Sequence, residues 1–243
     1  VGVATQVIRV VDTTAPVIHG ITGSTDEQTT RGGSVITLRG PTSITDNCDP
    51  HPVLTCEGDL GFYPLGSHTV TWKATDASGN VGIATEVITV VDTTPPSITA
   101  PPDITTEQTT LAGTPVNLGT PQVADLCDAN PAVTNDAPAL FPLGTTTVTW
   151  TATDASGNSS TATQVVTIVD TTAPFIADMP DVEVEQISHD GTIVVLSVPI
   201  VTDNCDANPS LTNDAPAKFP LGLTLVTWKA QDFSGNTSYK CMT

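Results

Sequence analysis

Thr69-Val70-Thr71-Trp72-Lys73-Ala74-Thr75-Asp76-Ala77-Ser78-Gly79-Asn80 alternates polar and apolar residues and then breaks into a turn signal. Alternation with a period of two is the mark of a half-buried strand, so valine and tryptophan face a core and the threonines face water. The stretch returns around Trp150 and Trp228, 78 residues apart each time, ending at Asn158 and Asn236. A second phrase, Val91-Asp92-Thr93-Thr94-Pro95-Pro96, recurs at Val169–Pro174 and already stands at Val11–Pro16. A third recurs as Asp46-Asn47-Cys48-Asp49, Asp125-Leu126-Cys127-Asp128 and Asp203-Asn204-Cys205-Asp206. Self-similarity at a fixed period of this length means one small domain copied head to tail.

Working outward, Thr85-Glu86-Val87-Ile88-Thr89-Val90 and Thr163-Gln164-Val165-Val166-Thr167-Ile168 are rich in β-branched residues and read as the last strand of each repeat. Turn signals such as Arg31-Gly32-Gly33 and Pro142-Leu143-Gly144 separate the strands. About seven short strands per repeat, with a turn every 8 to 12 residues or so, is the pattern of an immunoglobulin-like sandwich. The fold expected is all-β, a tandem array of three Ig-like β-sandwich domains over residues 13–92, 93–170 and 171–243, the last with a short final strand. Trp72, Trp150 and Trp228 are expected to plug the cores rather than to stack on carbohydrate.

Residues 1–12 align with Val81–Asp92, the end of a repeat, and read as an orphan strand that completes a neighbouring domain. Two explanations stand side by side. The chain is a window of a longer array, or it is a subunit whose first strand enters the last domain of the next copy by β-strand addition.

Seven Lys and Arg against 26 Asp and Glu give a formal charge of −19. That balance argues against nucleic acid or an anionic membrane as partner and favours divalent cations. No stretch reaches the roughly 18 apolar residues that a membrane-spanning helix needs. His19, His51, His68 and His189 share no spacing that suggests zinc, and no nucleophile elbow or phosphate loop appears, so the chain reads as a non-enzyme.

The recurring acids carry the chemistry. In an Ig-like sandwich the incoming linker, the loop after the second strand and the turn between the last two strands share one end. The first repeat thus gathers Asp12, Asp46, Asp49 and Asp76; the second gathers Asp92, Asp125, Asp128 and Asp154; the third gathers Asp170, Asp203, Asp206 and Asp232. Converging carboxylates repel unless neutralised, and calcium, which takes about six to eight oxygens, is the expected ion. Backbone carbonyls and Asn80, Asn158 and Asn236 are expected to complete the shell. The competing reading is a bare turn with local hydrogen bonds.

Five cysteines suggest two bridges, Cys48–Cys56 and Cys205–Cys241, with Cys127 left as a small buried side chain or a link to another chain. Asn158-Ser159-Ser160 and Asn236-Thr237-Ser238 match the N-glycosylation acceptor pattern.

The run Phe141–Asn158 together with Asp203-Asn204-Cys205 resembles the hyalin repeat (HYR) family, a resemblance that extends over the chain from Asp12 onward. The Asp-Thr-Thr-Ala-Pro junction also resembles calcium-stiffened linkers between Ig-like repeats of bacterial adhesins. The resemblance implies an extracellular structural or adhesive module. The leading expectation is a subunit or segment of a fibre or surface filament, joined head to tail to copies of itself. A ligand-binding adhesin recognising a cell surface or glycan through the loop Cys48–Tyr63, whose Glu57–Tyr63 stretch departs from the other repeats, is the second class, and spacer modules of a secreted hydrolase are the third.

Overall fold

The computed structural model describes residues 2–58 and 61–242, and every regular element among them is a strand. The chain packs as two compact units. One comprises Val1–Ile98, Val123–Val133 and Ala152–Ser160; the other comprises Thr99–Gln122, Thr134–Thr151 and Thr161–Thr243.

The first unit is organised by a four-stranded sheet in the order Ser24–Glu27, Val81–Val91, Gly66–Thr75, Val53–Glu57. The tryptophan strand Gly66–Thr75 runs antiparallel to the closing strand Val81–Val91, from Thr75 opposite Val81 to Gly66 opposite Val90. The opening strand Ser24–Glu27 then pairs parallel with the far end of the closing strand, Ser24 opposite Ile88 and Glu27 opposite Val91. The reversal between tryptophan and closing strands needs Gly79, whose φ of 89° lies in the left-handed region that glycine enters without penalty. Tyr63, Val70, Ile88 and Val90 are buried, with Ile36, Leu38, Cys56 and Trp72 packed against them.

The second repeat has a sheet of the same order, with Ile104–Glu107 beside Ser159–Val169, Gly144–Thr153 and Ala132–Asn135. Its opening strand again pairs parallel, Ile104 opposite Val166 and Glu107 opposite Val169. In the second unit Phe141, Val148, Trp150, Val166 and Ile168 are buried. A further cluster there holds Ile176, Val226, Trp228 and Ala230, lined by Leu196, Leu211 and Phe219. Trp150 and Trp228 thus serve as core plugs, and Trp72 is half-buried with its indole N–H engaged.

The third repeat is the least regular. Val226–Gln231 pairs with Thr237–Met242, and no strand lies between Ile176 and Val201. In the first two repeats the opening strand exists because the closing strand continues past the tryptophan to meet it; here Thr237–Met242 covers only the first half of that length. Val182–Gln186 faces Leu221–Val226 across a groove of about 510 Å³ whose lining mixes Val184, Leu196 and Phe219 with Asp181, Glu183 and Gln186. At the other end of the chain, residues 2–16 form no strand, and Val3, Val7, Ile8 and Val10 are each at least 79% exposed.

Two buried polar residues escaped the sequence reading. Glu86 accepts the Trp72 indole N–H at 2.9 Å and the Arg39 amide at 3.3 Å. Gln164 accepts from the Trp150 indole at 3.2 Å and donates to the carbonyls of Pro102 and Leu118 at 2.7 and 3.1 Å, with no exposed surface. The signal was present, since both stand on the inward phase of an alternating strand. In the third repeat the same register position is Met242, opposite Val226, and the buried Trp228 indole N–H has no hydrogen-bond partner among the described residues.

The expected disulfides do not form. Cys48, Cys205 and Cys241 are free thiols, and the members of each expected pair stand on different elements. Cys48 sits in the acidic loop, while Cys56 is in the strand beside Trp72 and packs on the core. Cys205 is likewise in its acidic loop, and Cys241 lies on an exposed strand opposite Thr227. A bridge requires Cα atoms within about 7 Å and Cβ vectors that converge.

Candidate metal centres at the repeat joints

Each joint is built from three local motifs, and each joint lies inside one compact unit. In the linker, the aspartate Oδ1 accepts the amide two residues on: Thr14 to Asp12 at 3.0 Å, Thr94 to Asp92 at 3.3 Å and Thr172 to Asp170 at 3.2 Å. In the acidic loop, one oxygen takes two amides at once. Asp46 Oδ1 accepts Cys48 and Asp49 at 2.9 and 2.8 Å, Asp125 Oδ1 accepts Cys127 and Asp128 at 2.8 and 2.7 Å, and Asp203 Oδ1 accepts Cys205 and Asp206 at 2.8 and 2.7 Å. These Asx turns fix each carboxylate and leave its second oxygen directed elsewhere.

Carboxylate oxygens of these residues converge. Ligand atoms of Asp12, Asp46 and Asp76 lie within 4.8 Å of one another, as do those of Asp92, Asp125 and Cys127 and those of Asp170, Asp203 and Cys205. Asp12 Oδ2 and Asp46 Oδ2 at the first joint, and Asp170 Oδ2 and Asp203 Oδ2 at the third, are buried with no hydrogen-bond donor among the described residues. A buried carboxylate oxygen without a donor is costly, and like charges at this separation make it costlier. A cation is the direct remedy, and calcium suits flexible all-oxygen shells. At the second joint Ser156 Oγ donates to Asp92 Oδ2 at 2.9 Å, so that oxygen is already satisfied.

The remaining predicted aspartates take other positions. Asp49 and Asp128 spend both oxygens on amides, reaching across to Ala77 and Ala155 at 2.9 and 3.0 Å and so bracing the acidic loop against the turn. Asp206, 3% exposed, accepts the Asn208 amide at 2.8 Å. Asp154 and Asp232 hold their turns through the amide and side chain of Asn158 and Asn236, as Asp76 does with Asn80. Desolvation pushes the Asp76 and Asp154 carboxyls up, but these hydrogen bonds outweigh it and hold both below the usual carboxylate range.

Asn80, Asn158 and Asn236 act as staples: each donates its side-chain N–H to the linker carbonyl of Asp12, Asp92 or Asp170, at 3.4, 3.1 and 3.2 Å. The amide nitrogen that a glycan would need is therefore committed to the joint in both acceptor-like motifs.

Sequence reasoning also missed a clamp. Glu27 accepts the Thr93 amide at 2.7 Å, the Thr93 hydroxyl at 2.9 Å and the Thr94 hydroxyl at 3.2 Å. Glu107 does the same for Thr171 and Thr172, at 2.7, 3.0 and 3.0 Å. The second and third joints are thus gripped by the last residue of the preceding opening strand, and the recurring Glu27-Gln28 and Glu107-Gln108 pairs were the available signal. The backbone amides of Thr93 and Thr171, with their hydroxyls, hold both glutamates below the usual range. A depressed carboxyl contributes stability that is complete above the unfolded pKa and is lost as pH falls through the folded one. Wild-type protein should therefore lose melting temperature between about pH 5 and pH 3, and Glu107→Ala should show a smaller loss over the same range, as read by differential scanning calorimetry.

Desolvation, aided by Asp92 and by Asp170 respectively, pushes the Cys127 thiol up to about 11 and the Cys205 thiol up to about 12. Both are protonated near neutrality and lie against a carboxylate.

Fold and joints define a protein of tandem all-β repeats with an acidic cluster wherever a linker enters the next repeat. The HYR domain profile matches residues 91–168 and 169–243. The chain belongs to the HYR domain family. Hyalin of Lytechinus variegatus is 32% identical over 256 residues, covering 98% of this chain and 48% of that protein. Hyalin of Strongylocentrotus purpuratus is 33% identical over 250 residues, covering 96% of this chain and 21% of that protein. The chain thus spans less than half the length of either relative. Among solved structures, human CDH23 EC21–23 aligns over 94% of this chain and 99% of its own with a TM-score of 0.35 and 14% identity. These are repeats of the extracellular, adhesion type, and no helix among the described residues is long and apolar enough to cross a membrane.

Proposed function

We propose that the chain is a non-enzymatic structural segment of an extracellular fibre or surface filament, made of three repeat domains over residues 13–92, 93–170 and 171–243. Calcium stiffens its joints. The observation that carries this reading is the pair of donor-free buried oxygens at the first joint, Asp12 Oδ2 and Asp46 Oδ2, within reach of Asp76. Neutralising them ties the linker to the acidic loop and the turn, so that a joint exchanges linker freedom for a fixed axis. Titration calorimetry of chelator-stripped protein tests it. Saturable calcium binding with a higher melting temperature is expected; heatless mixing and an unchanged melt would end the calcium reading.

Copies join head to tail in this reading, with β-strand addition as one means. The groove between Val182–Gln186 and Leu221–Val226 lies beside the segments whose counterparts in the other repeats neighbour Ile88–Val91 and Val166–Val169. Val7-Ile8-Arg9-Val10-Val11-Asp12 repeats the pattern of Val87–Asp92, and as an extended strand it matches that slot in length and polarity. A synthetic Gly2–Asp12 peptide should bind the protein and raise its melting temperature, and Leu223→Asp should abolish both effects. No binding by the wild-type protein would remove strand addition and leave the calcium joints untouched.

A further inference from the structure

The first joint presents three carboxylates, whereas the third presents Asp170, Asp203 and the sulfur of Cys205, all with ligand atoms within 4.8 Å. The acidic loop is built alike at both, with Asp46 Oδ1 taking the amides of Cys48 and Asp49 and the Cys48 thiol lying against Asp12. What differs is that a sulfur stands in the converging set at the third joint. Asp203 Oδ1, saturated by the amides of Cys205 and Asp206, curls the loop so that the Cys205 thiol lies against the Asp170 carboxylate. Asp170 is 9% exposed, and its Oδ2 has no hydrogen-bond partner among the described residues; Asp203 Oδ2 is also buried and without a donor. Two carboxylates, each with one buried oxygen that lacks a partner, and one sulfur therefore bring ligand atoms together in a small volume, with the thiol lying against Asp170.

The donor set matters for the kind of ion. Calcium takes hard oxygen ligands and gains nothing from sulfur. Zinc is bound by thiolate and carboxylate in tetrahedral sites of three or four protein ligands, and soft sulfur donors favour it over calcium and magnesium. With three protein donors, one position is left for water.

We propose that the third joint binds a thiophilic divalent cation of the zinc class through Asp170, Asp203 and Cys205. The proposal rests on the joints being cation sites and adds the identity of the ion at this one. On binding, the Cys205 S–H bond breaks, a sulfur–zinc bond forms and the proton passes to solvent, with no change of oxidation state. The second joint offers Asp92, Asp125 and Cys127, but Ser156 already occupies Asp92 Oδ2, so it fills after the third.

Chelator-stripped full chain is titrated with Co²⁺, which reports sulfur ligation by a near-ultraviolet charge-transfer band, and then with Zn²⁺ to displace it. Cysteine alkylation is followed residue by residue by mass spectrometry under Zn²⁺ or Ca²⁺. The expected result is a sulfur-to-cobalt band that Zn²⁺ removes, together with alkylation of Cys205 slowed about tenfold by Zn²⁺ and unaffected by Ca²⁺. Cys205→Ser should lose most of the band and at least about tenfold in Zn²⁺ affinity, since metal sites respond on that scale to loss of even an outer partner. Its chelated melting temperature, matching wild type, shows that the variant folds. Absence of the band, or equal alkylation rates under both ions, overturns the proposal. Calcium binding at the first joint without the band leaves the calcium reading standing, and the band without calcium binding leaves the zinc site standing.

Discussion

Gln164→Leu should destabilise the unit that contains it by about 1–3 kcal/mol, because it strands the buried Trp150 indole N–H, while the part-buried carbonyls of Pro102 and Leu118 lose a donor that water can replace. Gln164 is fully buried, accepts the Trp150 indole N–H and donates to the carbonyls of Pro102 and Leu118. Leucine fills nearly the same volume, so the loss reads hydrogen bonding rather than a cavity. In a chain of this size the shift is about 2–12 °C in melting temperature. A Gln164→Leu protein that melts like wild type would mean that water serves all three groups and that the bridge contributes nothing.

The strand architecture was legible because it depends on a two-residue period that the sequence writes plainly around Trp72, Trp150 and Trp228. Gln164 and Glu86 were less so: a polar residue among β-branched neighbours reads as outward until the phase of the strand is counted from Ile88 or Val166. The convergence of linker, acidic loop and turn also followed from the chain order of a sandwich. The division of labour within each cluster did not. Asp46, Asp125 and Asp203 differ from Asp49, Asp128 and Asp206 only in which oxygens the backbone amides claim, and those bonds are set by loop dihedrals that no spacing records. The glutamate clamp joins Glu27 to Thr93 and Glu107 to Thr171 across more than 60 residues of sequence, so its partners appear only once the opening strand is seen to run parallel to the closing one. The disulfide expectation failed for a related reason: closeness along the chain places Cys48 and Cys56 on different elements, one in a loop and one on a core strand.

Asp203→Asn and Asp203→Ala should separate the two tasks of one carboxylate. Oδ1 holds the amides of Cys205 and Asp206, while the buried Oδ2 has no donor. Asparagine keeps an oxygen for the amides and removes the charge; alanine removes both. In chelator, Asp203→Asn should melt at or slightly above the wild-type temperature, since it relieves repulsion with Asp170, whereas Asp203→Ala should lose about 1–3 kcal/mol from the stranded amides. In zinc the order changes. Wild type should gain about 2.7 kcal/mol at the third joint at an ion concentration about 100-fold above its Kd, and neither variant should gain that share. A full zinc gain in Asp203→Asn would show that the ion does not use this oxygen. A loss in chelator as large as that of Asp203→Ala would show that the charge itself, rather than the acceptor, holds the acidic loop in place.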